Sequence, residues 1–301
     1  MSDRSTSISV IIPAYAHCPH LPEVVAAIRH GTLAPKEVIV SHSGANQPSS
    51  ALGKSYPELT VLHEPERLFA GAARNRGAAA AREEILAFCD ADTRPEPDWL
   101  ANLVGSFEPD RRRVVVGAVG MARRGGYWGM TNWLLEFSEQ APWRPQRPQT
   151  GGASCNMAVH AADFRAVGGF REYLRGGEDT TLFSELREAG LTQIFCPLAV
   201  VRHYNNSGFD AFSRHQFALG EAFAEVRTER RMPGSFLVRH PPLAIVLCLP
   251  KALLVFRRGF AAGPRPFVLT LFLTPGVLVG SVIWSLGCLR RARRLARADT
   301  S

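Results

Sequence analysis

Two aspartates separated by one residue are the clearest candidates for chemistry in this chain. Asp90-Ala91-Asp92 directly follows the apolar run ILAFC, which predicts a buried strand over residues 85–89. Paired carboxylates at the end of a strand can hold a divalent cation together with phosphate oxygens, because Mg²⁺ and Mn²⁺ prefer hard oxygen ligands. Aspartates are also common in ordinary turns after strands. Taken alone, the motif leaves both interpretations open.

Three other segments combine small residues with polar or charged ones. The segment GAARNRG (71–77) can open a helix that brings arginines near a diphosphate. The segment GGEDT (176–180) leads into an acidic helix start, where the acids can take part in chemistry or simply stabilise the helix dipole. Between them lies GGASCNM (151–157). These segments become candidates for one site if the fold brings them together.

Alternating strands and helices must position these segments. Apolar runs predict strands over 8–12, 37–40, 60–62 and 85–89, and helical spacing predicts helices over 22–30 and 70–82. Such short connections indicate a mostly parallel α/β sheet flanked by helices, whose ligand site lies at the carboxyl ends of the strands. The second half is less regular. There we expect helices over 161–167, 178–189 and 209–227, strands over 193–196 and 199–203, and a partly ordered excursion over 123–150.

Charge is distributed unevenly along the 301 residues. Residues 1–250 contain 26 basic and 26 acidic residues, whereas residues 251–301 contain nine basic and one acidic residue and so carry the whole net charge of +8. The basic residues of this tail alternate with the most apolar stretches of the chain, which favours a membrane surface over nucleic acid as the partner. Six scattered cysteines without metal or disulfide spacing predict a reducing compartment. The polar N-terminal residues predict no signal peptide.

Seven segments, in this order and spacing, resemble the family 2 glycosyltransferases over residues 7–225: ISVIIPAY, EVIV, GAARNRG, ILAFCDADTRPEPDWL, NMAVHAADFRAVGGF, GGEDTTL and VVRHY. The resemblance implies a GT-A fold, with a nucleotide-binding α/β half and an acceptor half. We therefore expect a catalytic domain over residues 1–230, followed by a hydrophobic, basic and membrane-associated helical region over residues 231–301.

For the donor half, the resemblance implies a nucleotide-sugar site with a divalent cation, Mg²⁺ or Mn²⁺. Asp90, Ala91 and Asp92 match the Asp-X-Asp motif, which meets the ribose and the metal–diphosphate, and Asp92 is the expected metal ligand. Arg74 matches an arginine that faces the nucleotide. His203 matches a histidine often found near the metal, although a purely structural histidine would fit the same position.

For the acceptor half, the resemblance implies a general base. Asp179 matches this base, and Glu178 is expected to line the acceptor site. A single direct displacement with one base inverts the configuration at the anomeric carbon, so an inverting transferase is expected. Three tryptophans in the arginine-rich segment 123–147 can form an acceptor lid, pack the domain or touch lipid; they are Trp128, Trp133 and Trp143.

For the nucleobase, the resemblance implies contacts from the end of the first strand and from the residues after the second strand. The first group is Pro13, Ala14 and Tyr15. Family members commonly carry acidic residues plus Gly-Ser after the second strand, whereas this chain has Ser41-His42-Ser43-Gly44, which makes Ser41 a candidate contact and leaves the nucleotide open. The Gln-X-X-Arg-Trp motif of polymer-forming members is also absent, because RHQF (214–217) does not match it. A single-transfer enzyme is therefore expected.

Two other classes compete with this hypothesis. A non-catalytic, membrane-associated scaffold could retain a degenerate transferase fold, but retention of both acidic motifs counts against decay. A nucleotidyltransferase could share the α/β half, but it would need a Lys/Arg-rich sugar-phosphate site in place of the Glu-Asp pair. The sugar and its acceptor stay open, and a glycan or a lipid-linked acceptor are both compatible with the sequence.

The C-terminal region contains two apolar stretches. Residues 266–289 run for 24 residues without a charge, and about 20 residues suffice to span a bilayer. The shorter stretch 240–256 is interrupted by Pro250 and Lys251. Two spans, or a re-entrant or interfacial hairpin bent at Pro275-Gly276, would keep the arginine cluster 290–297 on the cytosolic face, with the catalytic domain in the cytoplasm. A single span would place that cluster outside, and a buried core helix is the alternative to membrane contact.

Overall fold

Two compact units make up the chain. The computed structural model describes residues 7–45, 56, 59–108, 111–122, 125–205 and 208–298. Unit 1 comprises Met1–Ala122 and Gln140–His203, and unit 2 comprises Arg123–Glu139 and Tyr204–Ser301. The candidate residues of the Asp-X-Asp and Glu-Asp motifs all belong to unit 1.

Unit 1 is built on a nine-stranded mixed sheet. Its strands are β1 (Ile8–Tyr15), β2 (Glu37–Ser43), β3 (Thr60–Glu64), β4 (Ile85–Cys89), β5 (Thr93–Pro95), β6 (Arg113–Met121), β7 (Arg147–Pro148), β8 (Asn156–His160) and β9 (Thr192–His203). The order is β3-β2-β1-β4-β8-β6-β9-β5, with β7 paired to β9. Strands β1 to β4 are parallel, whereas β8 runs antiparallel to both β4 and β6.

The helices of both units follow in chain order: α1 (Leu21–Arg29), α2 (Ala70–Ala80), α3 (Trp99–Gly105), α4 (Gly126–Phe137), α5 (Ala161–Ala166), α6 (Glu178–Glu188), α7 (Phe209–Glu229), α8 (Ser235–Arg239), α9 (Cys248–Phe260) and α10 (Pro264–Ala298), with a 3₁₀ helix at Pro241–Leu247 between α8 and α9. Helices α4 and α7 to α10 form unit 2. Helix α10 continues through Pro275.

The predicted α/β architecture is confirmed, and the parallel strands form where continuous apolar runs predicted them. Every residue of β4 is buried, as expected for a strand covered on both faces. The mixed half of the sheet differs more from the prediction, because β5, β6, β7 and β8 were not predicted as strands. Residues 192–203 form a single strand instead of two, because its pairing with β6 accommodates an irregularity between Gly117 and Ala118.

The prediction of a partly ordered segment over residues 123–150 is wrong for the first half of that segment. Residues 126–137 form α4 (GYWGMTNWLLEF), which buries Trp133, Leu134, Leu135 and Phe137. The three tryptophans do not share one segment of structure. Trp133 is fully buried, and the ring of Trp128 packs on Phe209 and Phe212 at centroid distances of 4.7 and 5.0 Å, all within unit 2. Both residues therefore fit the packing alternative, whereas Trp143 belongs to unit 1.

The approach of α2 to β1 depends on Gly77. A Cβ at this position would lie 2.5 Å from Cγ2 of the fully buried Ile11. We expect Gly77→Ala to lower the free energy of unfolding by about 1–3 kcal/mol, since overpacking outweighs the better helix propensity of alanine. Urea unfolding measures this change. Gly105→Ala in α3 is the control because its Cβ would meet open space, and an equal loss there would contradict the packing argument.

Candidate active site

Asp90, Ala91 and Asp92 form a turn at the carboxyl end of β4. The Thr93 N–H and hydroxyl both donate to the Asp90 carbonyl, at 3.1 and 2.7 Å. Strand β5 then pairs antiparallel with β9, and this register places Thr93 opposite His203. As a result, Asp92 Oδ2 lies 3.6 Å from His203 Nε2. The segment thus forms an ordinary turn and also exposes the Asp92 carboxylate, so it is compatible with both interpretations of the sequence.

The Asp92–His203 pair fits a divalent cation by the chemistry of its donors. A carboxylate oxygen and an imidazole nitrogen lie side by side, and the Asp92 side chain is 54% exposed, which leaves room for further ligands. Mg²⁺ is commonly bound through one or two carboxylates plus substrate phosphates, so two protein ligands suit it. No group of three or more His, Cys, Asp or Glu residues gathers as a metal site within the described part of the chain.

Arg74 joins the two acidic motifs. Its Nη2 donates to Asp90 Oδ1 at 2.7 Å and its Nη1 donates to Glu178 Oε1 at 2.9 Å. The Arg74 side chain is only 3% exposed, and its guanidinium lies 5.4 Å from the centre of the Phe170 ring. Burial alone would lower the pKa of Arg74, but the two carboxylates raise it above its ordinary value. The buried guanidinium of Arg74 therefore fixes the carboxylates of Asp90 and Glu178 relative to each other.

Asp179 lies in the first turn of α6, next to Glu178. The helix begins after Gly177, whose φ of 78° is a left-handed conformation that favours glycine. The Thr180 N–H donates to Asp179 Oδ1 at 2.6 Å, which orients the carboxyl group. Burial, and then the negative charge of Glu178, raise the pKa of Asp179 to about 7. A carboxylate with such a pKa can accept a proton near neutral pH.

The expected nucleobase residues lie at neighbouring strand ends. Pro13, Ala14 and Tyr15 end β1, and Pro13 pairs in register with Ser41 of β2. Tyr15 is 46% exposed, and the guanidinium of Arg67 lies 4.6 Å from the centre of its ring. Ser41 is fully buried, so its hydroxyl does not reach the surface in this structure. A direct contact from Ser41 to a base stays a prediction that its burial does not favour.

A histidine pair beside these strand ends was not singled out from the sequence. His42 Nδ1 lies 3.1 Å from His63 Nδ1, and His42 Nε2 lies 3.0 Å from the carbonyl of Ala16. A carbonyl can only accept, so neutral His42 donates from Nε2 and accepts from His63 at Nδ1. Ala16 has a φ of 52°, a strained conformation for alanine. The position of His63 at the end of β3 was an available signal, because ligand sites form at such ends.

The family follows from a direct match. A family model described as glycosyl transferase family 2 matches residues 9–168. The chain belongs to this family, and the predicted resemblance is confirmed. The matched range includes the strands β1 to β4 and the turn Asp90-Ala91-Asp92, and it ends before the Glu178-Asp179 pair.

Two individual relatives are similar to this chain over part of their own length. The pre-mycofactocin glycosyltransferase of Mycobacterium tuberculosis is 30% identical over 245 residues, which cover 78% of this chain and 48% of that protein. The validoxylamine A glucosyltransferase of Streptomyces hygroscopicus subsp. limoneus is 27% identical over 61% of this chain and 48% of its own length. This chain thus spans about half the length of these curated relatives.

Solved structures confirm the fold. The mannosyltransferase PcManGT from Pyrobaculum calidifontis, in complex with GDP-Man and Mn²⁺, is similar with a TM-score of 0.56 and 20% identity. The similarity covers 93% of this chain and 86% of that chain. At this identity the likeness establishes the GT-A fold and nothing further about the site.

Proposed function

We propose that this chain transfers a sugar from a nucleotide-sugar donor to an acceptor hydroxyl, with inversion at the anomeric carbon. The observation that carries the proposal is the buried Arg74, which links Asp90 of the donor motif to Glu178 beside the candidate base Asp179. This arrangement supports the proposal because it brings the proposed donor-binding carboxylate close to the proposed proton acceptor within unit 1. Membership of glycosyl transferase family 2 supports the same reaction class.

In the donor half, the residues bind and orient the diphosphate end of the donor. Asp92 and His203 would hold Mg²⁺ or Mn²⁺, and a divalent cation supplies charge stabilisation to a leaving diphosphate. Asp90, held by Arg74, is oriented towards the ribose, with Ala91 at the turn between the two aspartates. Pro13, Ala14 and Tyr15, at the end of β1, receive the base, for which Ser41 remains a candidate contact.

In the acceptor half, Asp179 removes the proton of the attacking hydroxyl. Such a hydroxyl has a pKa far above neutrality, so it needs a positioned base. The raised pKa of Asp179, about 7, makes the carboxylate a stronger base than an ordinary aspartate while leaving it largely ionised at slightly alkaline pH. Glu178 lines the acceptor site. Direct attack opposite the leaving diphosphate requires no covalent sugar–enzyme intermediate.

The location is proposed to be the cytoplasmic face of a membrane. Within the described residues, the stretch Pro264–Arg297 is the one long and apolar enough to cross a bilayer by length and composition. We propose residues 1–230 as the catalytic region and residues 231–301 as the membrane-associated region. This functional boundary falls inside unit 2, which also contains α7. A glycan or a lipid-linked acceptor presented at the membrane suits this placement.

The test is a donor screen with the purified full chain. UDP-, GDP- and TDP-sugars are incubated with Mg²⁺ or Mn²⁺, and release of the nucleoside diphosphate is measured together with the anomeric configuration of the product. We expect one donor to turn over and Asp92→Asn to lower its turnover at least tenfold. Asp98→Asn, another exposed aspartate, is the matched control. If no donor is turned over and no nucleotide raises the thermal stability of the chain, the non-catalytic scaffold becomes the better hypothesis.

A further inference from the structure

Helix α10 is apolar on its exposed face as well as on its buried face. Its exposed face bears large apolar side chains at helical spacing, including Val268, Leu271, Phe272, Val279, Val282 and Leu286. Its buried face combines the large residues Leu273, Val277 and Trp284 with small or hydroxylated ones, including Thr270, Gly276, Gly280, Ser281, Ser285 and Gly287. A surface helix in water carries polar and charged residues on its exposed face. The exposed face therefore suits an apolar environment.

The small residues of α10 allow two other helices of unit 2 to lie directly against it. Gly287 packs on the backbone of Phe217 in α7, and Gly220 of α7 packs on the backbone of Trp284. Further towards the N-terminus of α10, the Gly276 N–H donates to the Tyr127 hydroxyl of α4 at 2.8 Å. One side of α10 is thus covered by α4 and α7 over several turns.

These covering helices carry ionised groups that cannot be moved into hydrocarbon without cost. Glu221 and Glu225 of α7 pair with Arg290 and Arg291, at 3.6 and 2.7 Å. Glu136 of α4 lies 3.0 Å from the His215 imidazole. If α10 crossed a bilayer with this packing intact, α4 and α7 would enter the membrane with it. Charged side chains within the hydrocarbon layer are strongly unfavourable, which argues against a crossing orientation.

Helix α9 extends the same apolar surface. Leu249, Leu253 and Leu254 are exposed on α9, and the Phe260 ring lies 5.1 Å from the Phe267 ring of α10 across the turn that joins the two helices. We name the exposed apolar side chains of α9 and α10 the docking face. Contiguous exposed apolar surfaces mark sites of interaction with a protein or a membrane.

Arginines border the docking face and indicate which partner covers it. Arg293 and Arg294 are both exposed about two turns beyond Leu286, and Arg265 is exposed at the start of α10. Amphipathic helices with this combination of apolar and basic residues lie in the interface of anionic membranes. We propose that unit 2 binds an anionic membrane surface through the docking face and that α10 lies in the plane of one leaflet. This inference deepens the proposed membrane location, and it differs from both a single span and two spans.

Vesicle flotation of the full chain tests the docking. We expect it to float with vesicles of phosphatidylcholine and phosphatidylglycerol and to bind about tenfold less well to phosphatidylcholine alone. Leu253→Gln with Phe272→Gln, and separately Arg293→Gln with Arg294→Gln, should each lower binding to anionic vesicles about tenfold or more. Leu198→Gln, at an equally exposed leucine of unit 1, is the control and should bind as the parent does.

Cysteine accessibility tests the in-plane orientation. Arg265→Cys and Arg294→Cys are treated with a membrane-impermeant thiol reagent in intact bacterial cells and in inverted vesicles, and peptide mass mapping separates the introduced cysteines from the native ones. We expect both to be modified in inverted vesicles and neither in intact cells. Modification of either one from outside intact cells would overturn the in-plane orientation.

Absence of flotation with every vesicle composition would overturn the docking itself. Sedimentation velocity would then show whether a second copy of the chain covers the docking face instead. Neither readout depends on donor turnover. A chain that binds vesicles but transfers no sugar would overturn the proposed reaction and leave the docking intact. A chain that transfers sugar but binds no vesicles would overturn the docking and leave the proposed reaction intact.

Discussion

Replacing Asp179 by asparagine should lower turnover by about 10²–10⁴-fold, the usual loss when a general base is removed. The amide keeps the size of the side chain but cannot accept the proton of the acceptor hydroxyl. Donor binding should change little, because the proposed donor-binding residues Asp90 and Asp92 are left in place. Steady-state kinetics and nucleotide titration separate these two effects. Turnover within about threefold of the parent would show that another group is the base.

The pH profile of the parent adds a second readout for the same residue. Asp179 acts as the carboxylate, and its pKa is raised to about 7, first by burial and then by Glu178. Activity should therefore rise with pH up to about 7 and level off above it, whereas an ordinary aspartate would be ionised already at pH 5. Asp210→Asn is the matched control, since Asp210 is also an acid in the first turn of a helix. That control should keep the parent profile.

Replacing Arg74 by methionine should have the largest effect on stability. The substitution fills a similar space but leaves the carboxylates of Asp90 and Glu178 without their buried cation. Loss of one partner from a buried ion pair typically lowers the free energy of unfolding by about 3–5 kcal/mol. Urea unfolding at neutral pH measures this loss.

Two further variants separate the role of Arg74 in the site from general destabilisation. Arg74→Lys keeps the charge, but a single ammonium lacks the fork that reaches Asp90 and Glu178 at once, so stability should recover in part and turnover much less. Arg82→Met, at an exposed arginine just after α2, should unfold as the parent does. If Arg74→Met unfolded like Arg82→Met, the buried link between the two motifs would not be a stabilising contact.

Strands with a continuous apolar sequence could be predicted from the local sequence alone. The runs ISVII and ILAFC are continuous and apolar, and they form β1 and β4 at the centre of the parallel part of the sheet. Helix α4 was missed because its buried residues include the unbroken run 131–135, which shows no helical spacing, and because glycines and arginines surround it. Strand β5 has only three residues and contains a proline, so it depends on pairing with β9, which no local pattern reveals.

The site was predictable by residue type but not by contact. The acidic motifs and Arg74 were found from their residue types and spacing, and the roles of these residues stay predictions. The hydrogen bond between Arg74 and Glu178 joins positions 104 residues apart, and such a pairing follows only from the fold. The sequence also suggested that Arg74 faces a nucleotide, whereas its buried guanidinium binds two carboxylates of the protein. His63 lay one residue beyond the predicted end of β3 and was therefore overlooked.

The backbone pairing of Thr93 with His203 also makes the neighbouring ligand pair exchangeable. The positions of Asp92 and His203 are set by main-chain hydrogen bonds between β5 and β9, which do not depend on either side chain. A glutamate, asparagine or cysteine introduced at either position would thus be presented at nearly the same place. If Asp92 and His203 hold the proposed cation, its metal preference can therefore be redesigned one ligand at a time, from oxygen towards nitrogen or sulfur, on an unchanged scaffold.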